Sequence, residues 1–67
     1  MYVTINKQEL RKRIALKGYN IKDFANACSV NVNTISLLLN REERKTTPKL
    51  LLKFAEVLEV DAETLLL

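Results

Sequence analysis

The sequence predicts an all-α domain of five helices, numbered here in chain order. Three observations carry this prediction: the chain has only 67 residues, it contains one Gly and one Pro, and one helix-start pattern recurs along it. A chain this short makes a single domain, and so few Gly and Pro residues leave little room for turns, sheets or linkers. We therefore expect residues 1–67 to form one domain, with hydrophobic residues, 48% of the chain, supplying its core.

The helix-start pattern is an apolar residue, a capping residue, and a second apolar residue four positions after the cap. The cap accepts from a free backbone N–H of the first turn, and the two apolar residues pack together. Helix 4 differs, because Thr47 caps it and Pro48 takes its first position, where the missing N–H costs nothing. The other four sets are Ile5, Asn6 and Leu10; Tyr19, Asn20 and Phe24; Val30, Asn31 and Ile35; and Val60, Asp61 and Leu65.

These caps place the five helices at about residues 7–17, 21–27, 32–40, 48–58 and 62–66. Gly18 follows helix 1, in the position where a glycine commonly ends a helix. Residues 41–47 form the one substantial loop. Residues 1–5 are an N-terminal arm, which is either loose or an extended segment packed on the domain.

Helices 2 and 3 are joined by the short connection Cys28 to Val30, which is followed directly by the cap Asn31. A connection this short makes two helices meet steeply, as in a helix-turn-helix. Cys28 is interpreted as a small buried hydrophobic residue. The residues whose spacing points them into the core are Leu10, Ile14, Phe24, Ala25, Cys28, Ile35, Leu38, Leu39, Leu51, Ala55, Leu58 and Leu65.

Charge and composition narrow the function. Residues 1–53 carry all eleven Lys and Arg and a net charge of +7, whereas residues 54–67 carry −4. Such a basic body is compatible with a polyanion partner, and equally with an ordinary solvated surface. The chain has no His, the commonest general base and metal ligand, and its single Cys cannot form an internal disulfide. We expect no enzyme activity, metal or cofactor, no membrane segment, and a location in the reducing cytoplasm.

The segment from Asn20 to Ser36 resembles the helix-turn-helix of the phage repressor and Cro family, the XRE type. That family opens with Thr/Ser-Gln-x-Glu-Leu-Ala and continues with Gly-Val-Ser-x-x-Thr-Ile-Ser. Here Phe24-Ala25 matches Leu-Ala, Val30-Asn31 matches Val-Ser, and Thr34-Ile35-Ser36 matches outright. The resemblance covers about residues 7–66 and implies a five-helix, lambda-repressor-like DNA-binding domain that regulates transcription.

The sequence departs from the family at several positions. Ile21 replaces the Gln that opens helix 2, Ser29 the Gly of the turn, and Arg41 the Gly after helix 3. Ile14 and Leu39 stand where many members pair an Arg with a Glu. Because an apolar pair replaces a buried ion pair without loss of stability, we expect this packing to be intact.

The resemblance implies that helix 3 enters the major groove with its first residues at base edges. Asn33 is the best candidate base reader, because its amide pairs bidentately with adenine. Ser36 can exchange hydrogen bonds with several bases, and Val32 and Leu37 can contact thymine methyl groups. The alternative is that all four are ordinary surface residues, or that the apolar pair belongs to a protein contact.

Phosphate contacts are expected around the same two helices, from helix N-termini and basic side chains. The basic run Arg11, Lys12 and Arg13 on helix 1 is interpreted as solvated surface behind the reading helix, with phosphate contact as the alternative. Glu42 and Glu43 would repel phosphate. The expected phosphate-binding residues are Asn20, Lys22, Asn31, Asn40, Arg41, Arg44 and Lys45.

Two functions remain open. The first is sequence-specific binding of double-stranded DNA, as a homodimer that uses the loop at 41–47 and the apolar end Leu65 to Leu67. The second is a protein-binding module, antirepressor-like or antitoxin-like, that engages another regulator protein. Its contact face would be Ile21, Val32 and Leu37, since an apolar face rimmed by polar groups is typical of protein contacts.

Overall fold

The computed structural model describes residues 1–40 and 45–67. These residues form four α-helices, two short strands and one 3₁₀ turn. The helices are α1 (Lys7–Leu16), α2 (Ile21–Ala27), α3 (Val32–Asn40) and α4 (Pro48–Leu58). The strands are β1 (Val3–Thr4) and β2 (Lys45–Thr46), and the 3₁₀ turn is Ala62–Leu65.

Side-chain caps start the four α-helices. Each cap is an oxygen that accepts a backbone N–H of the first turn, which would otherwise lack a partner. The acceptor–donor pairs are Asn6 with Glu9 (3.1 Å), Asn20 with Asp23 (2.7 Å), Asn31 with Asn33 (2.8 Å) and Thr47 with Leu50 (3.2 Å). α1 ends at Leu16, one residue before the expected limit, and Lys17 is its C-cap.

Three connections share one backbone arrangement, which we call the joint. In each joint a residue in the left-handed region follows the helix, an apolar residue comes next, and an Asn or Asp precedes the next element. The apolar residue donates its N–H back across the last helical turn, as in a Schellman motif. The left-handed residues are Gly18 (φ 76°), Ser29 (φ 58°) and Glu59 (φ 57°), and the returning bonds are Tyr19 to Ile14 (3.2 Å), Val30 to Ala25 (3.0 Å) and Val60 to Ala55 (3.1 Å).

The hydrophobic core is formed by residues of the N-terminal arm, the four helices and the 3₁₀ turn. Phe24 packs against Phe54 with ring centroids 5.3 Å apart and against Tyr19 at 6.2 Å, and both pairs are tilted. Of the residues expected inside, Leu38 is only half-buried. The core residues are Ile5, Leu10, Ile14, Phe24, Ala25, Cys28, Ile35, Leu39, Leu51, Phe54, Ala55, Leu58 and Leu65.

The prediction of a fifth α-helix at 62–66 is wrong. Ala62–Leu65 is a single 3₁₀ turn, and the Asp61 side chain makes no capping hydrogen bond. Leu66 is extended and bridges Ile5, while the Asn6 N–H donates to the Leu65 carbonyl at 2.9 Å. Because these backbone bonds hold Leu66 extended, the helix cannot continue through it.

The N-terminal arm takes the packed form. β1 pairs antiparallel with β2, with Val3 opposite Thr46 and Thr4 opposite Lys45. The next residue, Ile5, is completely buried. The expectation of a purely helical fold therefore misses a small sheet that ties the N-terminal arm to the segment before α4.

Candidate nucleic-acid interface

α2 and α3 rest on the core through one side of each helix. Phe24 and Ala25 bury that side of α2, and Ile35 and Leu39 bury that side of α3. The joint at Ser29 fixes the angle between the helices, and the Val30 N–H returns to the Ala25 carbonyl at 3.0 Å. The opposite side of α3 is thereby directed to solvent on a rigid support.

The solvent side of α3 carries a stripe formed by Asn33, Ser36, Leu37 and Asn40. Their spacing of three, four and seven residues from Asn33 puts them on one helical face. Asn33, Leu37 and Asn40 are exposed, Leu37 to 49%, and Ser36 is half-buried. Val32, at the first position of α3, is 40% exposed. The four expected base readers therefore have surface available for a partner.

The polar side chains of this stripe are not equally free. Nδ2 of Asn40 donates to Oγ of Ser36 at 3.1 Å, which links the two one turn apart. The Ser36 hydroxyl keeps its own proton for donation. Among the described residues, the Asn33 amide has no side-chain hydrogen-bond partner, so both of its ends are available to a base edge.

The expected phosphate-binding residues lie around this stripe where they are described. Asn20 and Asn31 are exposed at the starts of α2 and α3. Each uses its Oδ1 as a cap, so its Nδ2 group remains as a donor. Lys22 is exposed beside the equally exposed Asp23, whose carboxylate opposes an anion.

The remaining phosphate candidates follow α3. Lys45 is exposed in β2. Asn40 is exposed at the end of α3, with one amide N–H committed to Ser36. Arg41 and Arg44 lie outside the described residues, as do Glu42 and Glu43.

A cleft of about 260 Å³ opens between α1, the start of α2 and the end of α3, and we call it the Arg11 cleft. It is lined by Arg11, Ile21, Ser36, Leu39 and Asn40. Nη2 of Arg11 donates to the Leu39 carbonyl at 2.6 Å. Arg11 is exposed, as expected for the basic run, but its side chain also contacts the end of α3.

A sequence signal for this contact existed. Arg11 precedes Ile14 by three residues and so lies one turn away on the same side of α1. The resemblance pairs Ile14 with Leu39, and the helix that ends near Leu39 lacks the usual terminal glycine. An unsatisfied carbonyl near a basic side chain was thus foreseeable, although spacing alone does not show which basic residue reaches it.

The alternative protein-contact face is only partly assembled. Ile21 is half-buried, packs against the core and lines the Arg11 cleft. Val32 and Leu37 are exposed but do not line that cleft. The exposed side chains of Val32 and Leu37 therefore do not share the Arg11 cleft with Ile21.

The expected dimer surface needs correction. Leu65 is 0% exposed and belongs to the core, so it cannot contact a partner. Leu66 is half-buried beside Ile5, and Leu67 alone of the three is exposed. Residues 41–44 of the expected loop lie outside the described residues.

Reactive groups are few in the described part of the chain. Cys28 is buried, and burial raises the pKa of its thiol to about 11, with a smaller opposing effect from the Lys53 cation. Residues 1–40 and 45–67 hold no group of three potential metal ligands. In the same ranges, each helix is too short or too polar to cross a membrane.

Comparison with known families identifies the fold. A family model described as Helix-turn-helix matches residues 8–65. Comparisons with curated proteins and with solved structures found no match. The matched family comprises DNA-binding regulators of transcription and is not an enzyme family. Because the match covers nearly the whole chain, this protein belongs to the XRE-type, Cro/C1-like helix-turn-helix family.

Proposed function

We propose that this domain is a sequence-specific transcriptional regulator of phage repressor or Cro type, which places α3 in the major groove of double-stranded DNA. The observation that carries the proposal is that α3 exposes its stripe to solvent while Ile35 and Leu39, on its other side, are buried in the core. In helix-turn-helix domains the second helix reads base edges. Such a regulator works in the cytoplasm of a bacterial or phage-infected cell and requires no cofactor.

We assign base reading to Val32, Asn33, Ser36 and Leu37. Asn33 is the main polar reader, because its amide is unengaged in the described structure and an Asn amide forms two hydrogen bonds with adenine. Ser36 offers its hydroxyl proton, and the two apolar residues suit thymine methyl groups. Asn20, Lys22, Asn31, Asn40 and Lys45, with Arg41 and Arg44, are assigned to phosphates, which position the domain without specifying sequence.

The test is selection of bound duplexes from a random DNA pool, followed by titration of wild-type and Asn33→Ala domains against the selected site and its single-base variants. We expect Asn33→Ala to remove discrimination at one base pair, worth about 1–3 kcal/mol, and to leave preference elsewhere unchanged. Asn26→Ala is the matched control, because Asn26 is also an exposed Asn but lies on α2 outside the stripe. Equal base preference in the Asn33→Ala and wild-type domains would remove Asn33 from the reading set.

We infer that the domain acts as a homodimer on a two-fold operator, since half-sites one DNA turn apart match a two-fold protein. Sedimentation of the complex on a full operator and on a single half-site tests this. A dimer is supported if two domains bind the full operator, and if their affinity exceeds that expected from two independent half-sites. Independent binding of two monomers contradicts it.

The second candidate is a protein-binding module that engages another regulator, as an antirepressor or antitoxin does. The exposure of Val32 and Leu37 on α3 favours it, because apolar side chains are enriched at the centres of protein contacts. Leu37→Asp separates the two functions in a binding assay with the regulator protein encoded beside this chain's own gene. Partner binding that collapses in Leu37→Asp and changes little with salt supports the module, whereas steep salt dependence of DNA binding supports the regulator.

A further inference from the structure

We propose that the Arg11 cleft holds one phosphate of the DNA backbone, with the Arg11 guanidinium and the Asn40 amide as donors. This inference rests on the proposed DNA-binding function and assigns α1 a direct part in it. It adds a residue that the sequence pattern placed behind the reading helix. Arg11 would then orient the domain on the duplex without reading bases.

The position of Arg11 suits it to donate hydrogen bonds to a phosphate in the cleft. Its Nη2 group donates to the Leu39 carbonyl at 2.6 Å, which places the exposed guanidinium at the end of α3. A guanidinium has five N–H donors in a planar fork and matches phosphate oxygens in pairs. Asn40, on the same cleft, has a second amide N–H that its bond to Ser36 does not use.

Electrostatics favour the same site. The end of a helix carries unsatisfied carbonyls with a partial negative charge, which repel a phosphate. Arg11 donates to one of these carbonyls and adds a full positive charge beside it. Among the described residues that line the cleft, Arg11 is the charged one, and none of them is a carboxylate.

Arg13 shows the contrast within one helix. It lies two residues further along α1, and its Nε binds Oε1 of Glu9 at 2.9 Å. Its charge is therefore matched locally, whereas the Arg11 contact is to a neutral carbonyl. Arg11→Gln and Arg13→Gln remove the same formal charge from the same helix, but Arg11 lines the cleft and Arg13 does not.

The experiment measures DNA affinity against salt concentration for wild type, Arg11→Gln and Arg13→Gln, on the selected site and on an unrelated duplex. For Arg11→Gln we expect weaker binding on both duplexes, and a log–log salt slope smaller in magnitude by about 0.9, the value for one lost phosphate contact. We expect the slope of Arg13→Gln to stay within about 0.3 of wild type. A role in capping α3 alone would lower the melting temperature and leave the slope unchanged.

Arg11→Lys keeps the result interpretable if Arg11→Gln does not fold. Lysine retains the charge but not the fork, so we expect a slope near wild type with weaker binding. The inference is overturned if a folded Arg11→Gln domain keeps the wild-type salt slope. It is also overturned if Arg11→Gln and Arg13→Gln lose the same amount of slope. A slope loss in Arg11→Lys as large as one contact also overturns it. Absence of salt-dependent DNA binding by the wild-type domain instead rejects the proposed function.

Discussion

The joint between α2 and α3 and the joint after α4 have nearly the same backbone. Ser29 and Glu59 have φ angles of 58° and 57°, and each is followed by a Val and then by a capping-type residue, Asn31 or Asp61. After the first joint comes a nine-residue α-helix, and after the second a four-residue 3₁₀ turn. The comparison teaches that a local signal starts an element but does not decide its type or length.

The cause of the difference lies far away in the chain. Leu66 is held extended by its bridge to Ile5, and the Leu67 N–H donates to the Thr4 carbonyl at 3.2 Å. Among the described residues, the end of α3 pairs with no strand, and the Leu39 carbonyl accepts a hydrogen bond from Arg11. Backbone pairing of Leu66 and Leu67 with Ile5 and Thr4 therefore ends the 3₁₀ turn after four residues, whereas α3 continues for nine.

The largest expected effect concerns burial after the two joints. Ile35 and Leu65 are each the fourth residue after their capping position, and both are 0% exposed. We expect Ile35→Ala and Leu65→Ala each to lower the free energy of unfolding by about 2–5 kcal/mol, because each leaves a cavity in the core. Urea unfolding measures this, with Leu67→Ala, at a residue 71% exposed, as a control that changes it by less than about 0.5 kcal/mol. A negligible cost for Leu65→Ala would show that the 3₁₀ turn lies outside the cooperative unit.

The next effect is a pH dependence specific to the first joint, where Cys28 occupies the place that Leu58 occupies in the second. Burial raises the pKa of Cys28 from 9.0 to about 11 in the folded domain. Between these values the unfolded thiol releases its proton and the folded thiol keeps it. Stability therefore falls as pH rises from 9 to 11, by about 2–3 kcal/mol at full shift.

Urea unfolding at pH 8, 9 and 10 measures this dependence for wild type and Cys28→Ala. The Ala variant controls for every other pH-dependent contribution, because the two proteins differ only at residue 28. We expect the stability difference between the two proteins to narrow as pH rises. Parallel curves would contradict the raised pKa of Cys28.

Capping gives a smaller contrast. The Asn31 side chain accepts the Asn33 N–H at 2.8 Å, whereas the Asp61 side chain makes no capping bond. We expect Asn31→Ala to destabilise the domain by about 1 kcal/mol and Asp61→Ala by less than about 0.5 kcal/mol. Equal losses in thermal unfolding would mean that Asp61 caps its turn in solution.

The smallest effect concerns the left-handed residues themselves. A non-glycine residue in that region costs about 1–2 kcal/mol, and part of this is offset by the greater freedom of Gly in the unfolded chain. We expect Ser29→Gly to stabilise the domain by about 0.5 kcal/mol and Ser29→Ala to give no gain. Glu59→Gly should gain less, because it also loses the 2.9 Å contact with Lys17. Destabilisation by Ser29→Gly, measured by its melting temperature, would show that the Ser29 side chain has a stabilising contact.

Sequence reasoning succeeded where a structure depends on neighbours in the chain. The starts of α1 to α4 at residues 7, 21, 32 and 48 follow from Asn6, Asn20, Asn31 and Thr47, because a cap acts within one turn. The outward stripe of α3 follows from the inward positions of Ile35 and Leu39, because helical periodicity leaves the other side to solvent. The family match over residues 8–65 agrees with the resemblance of the same segment.

It failed where distant residues meet. The bond from Arg11 to Leu39 joins positions 28 residues apart, and basic spacing on α1 does not distinguish Arg11 from Arg13. The sequence predicts Leu65 as apolar surface near the end of the chain. The structure instead brings it next to the N-terminal arm, where Ile5 pairs with Leu66 and the Asn6 N–H donates to the Leu65 carbonyl.

By itself the sequence determined the helix starts, the helix-turn-helix and the exposed face of α3, because capping, short connections and periodicity operate over a few residues. Only the tertiary structure decided that β1 pairs with β2, that residues 62–65 form a 3₁₀ turn, and that Arg11 reaches the end of α3. These features depend on which backbone groups meet once the core has formed, and local spacing does not specify that meeting.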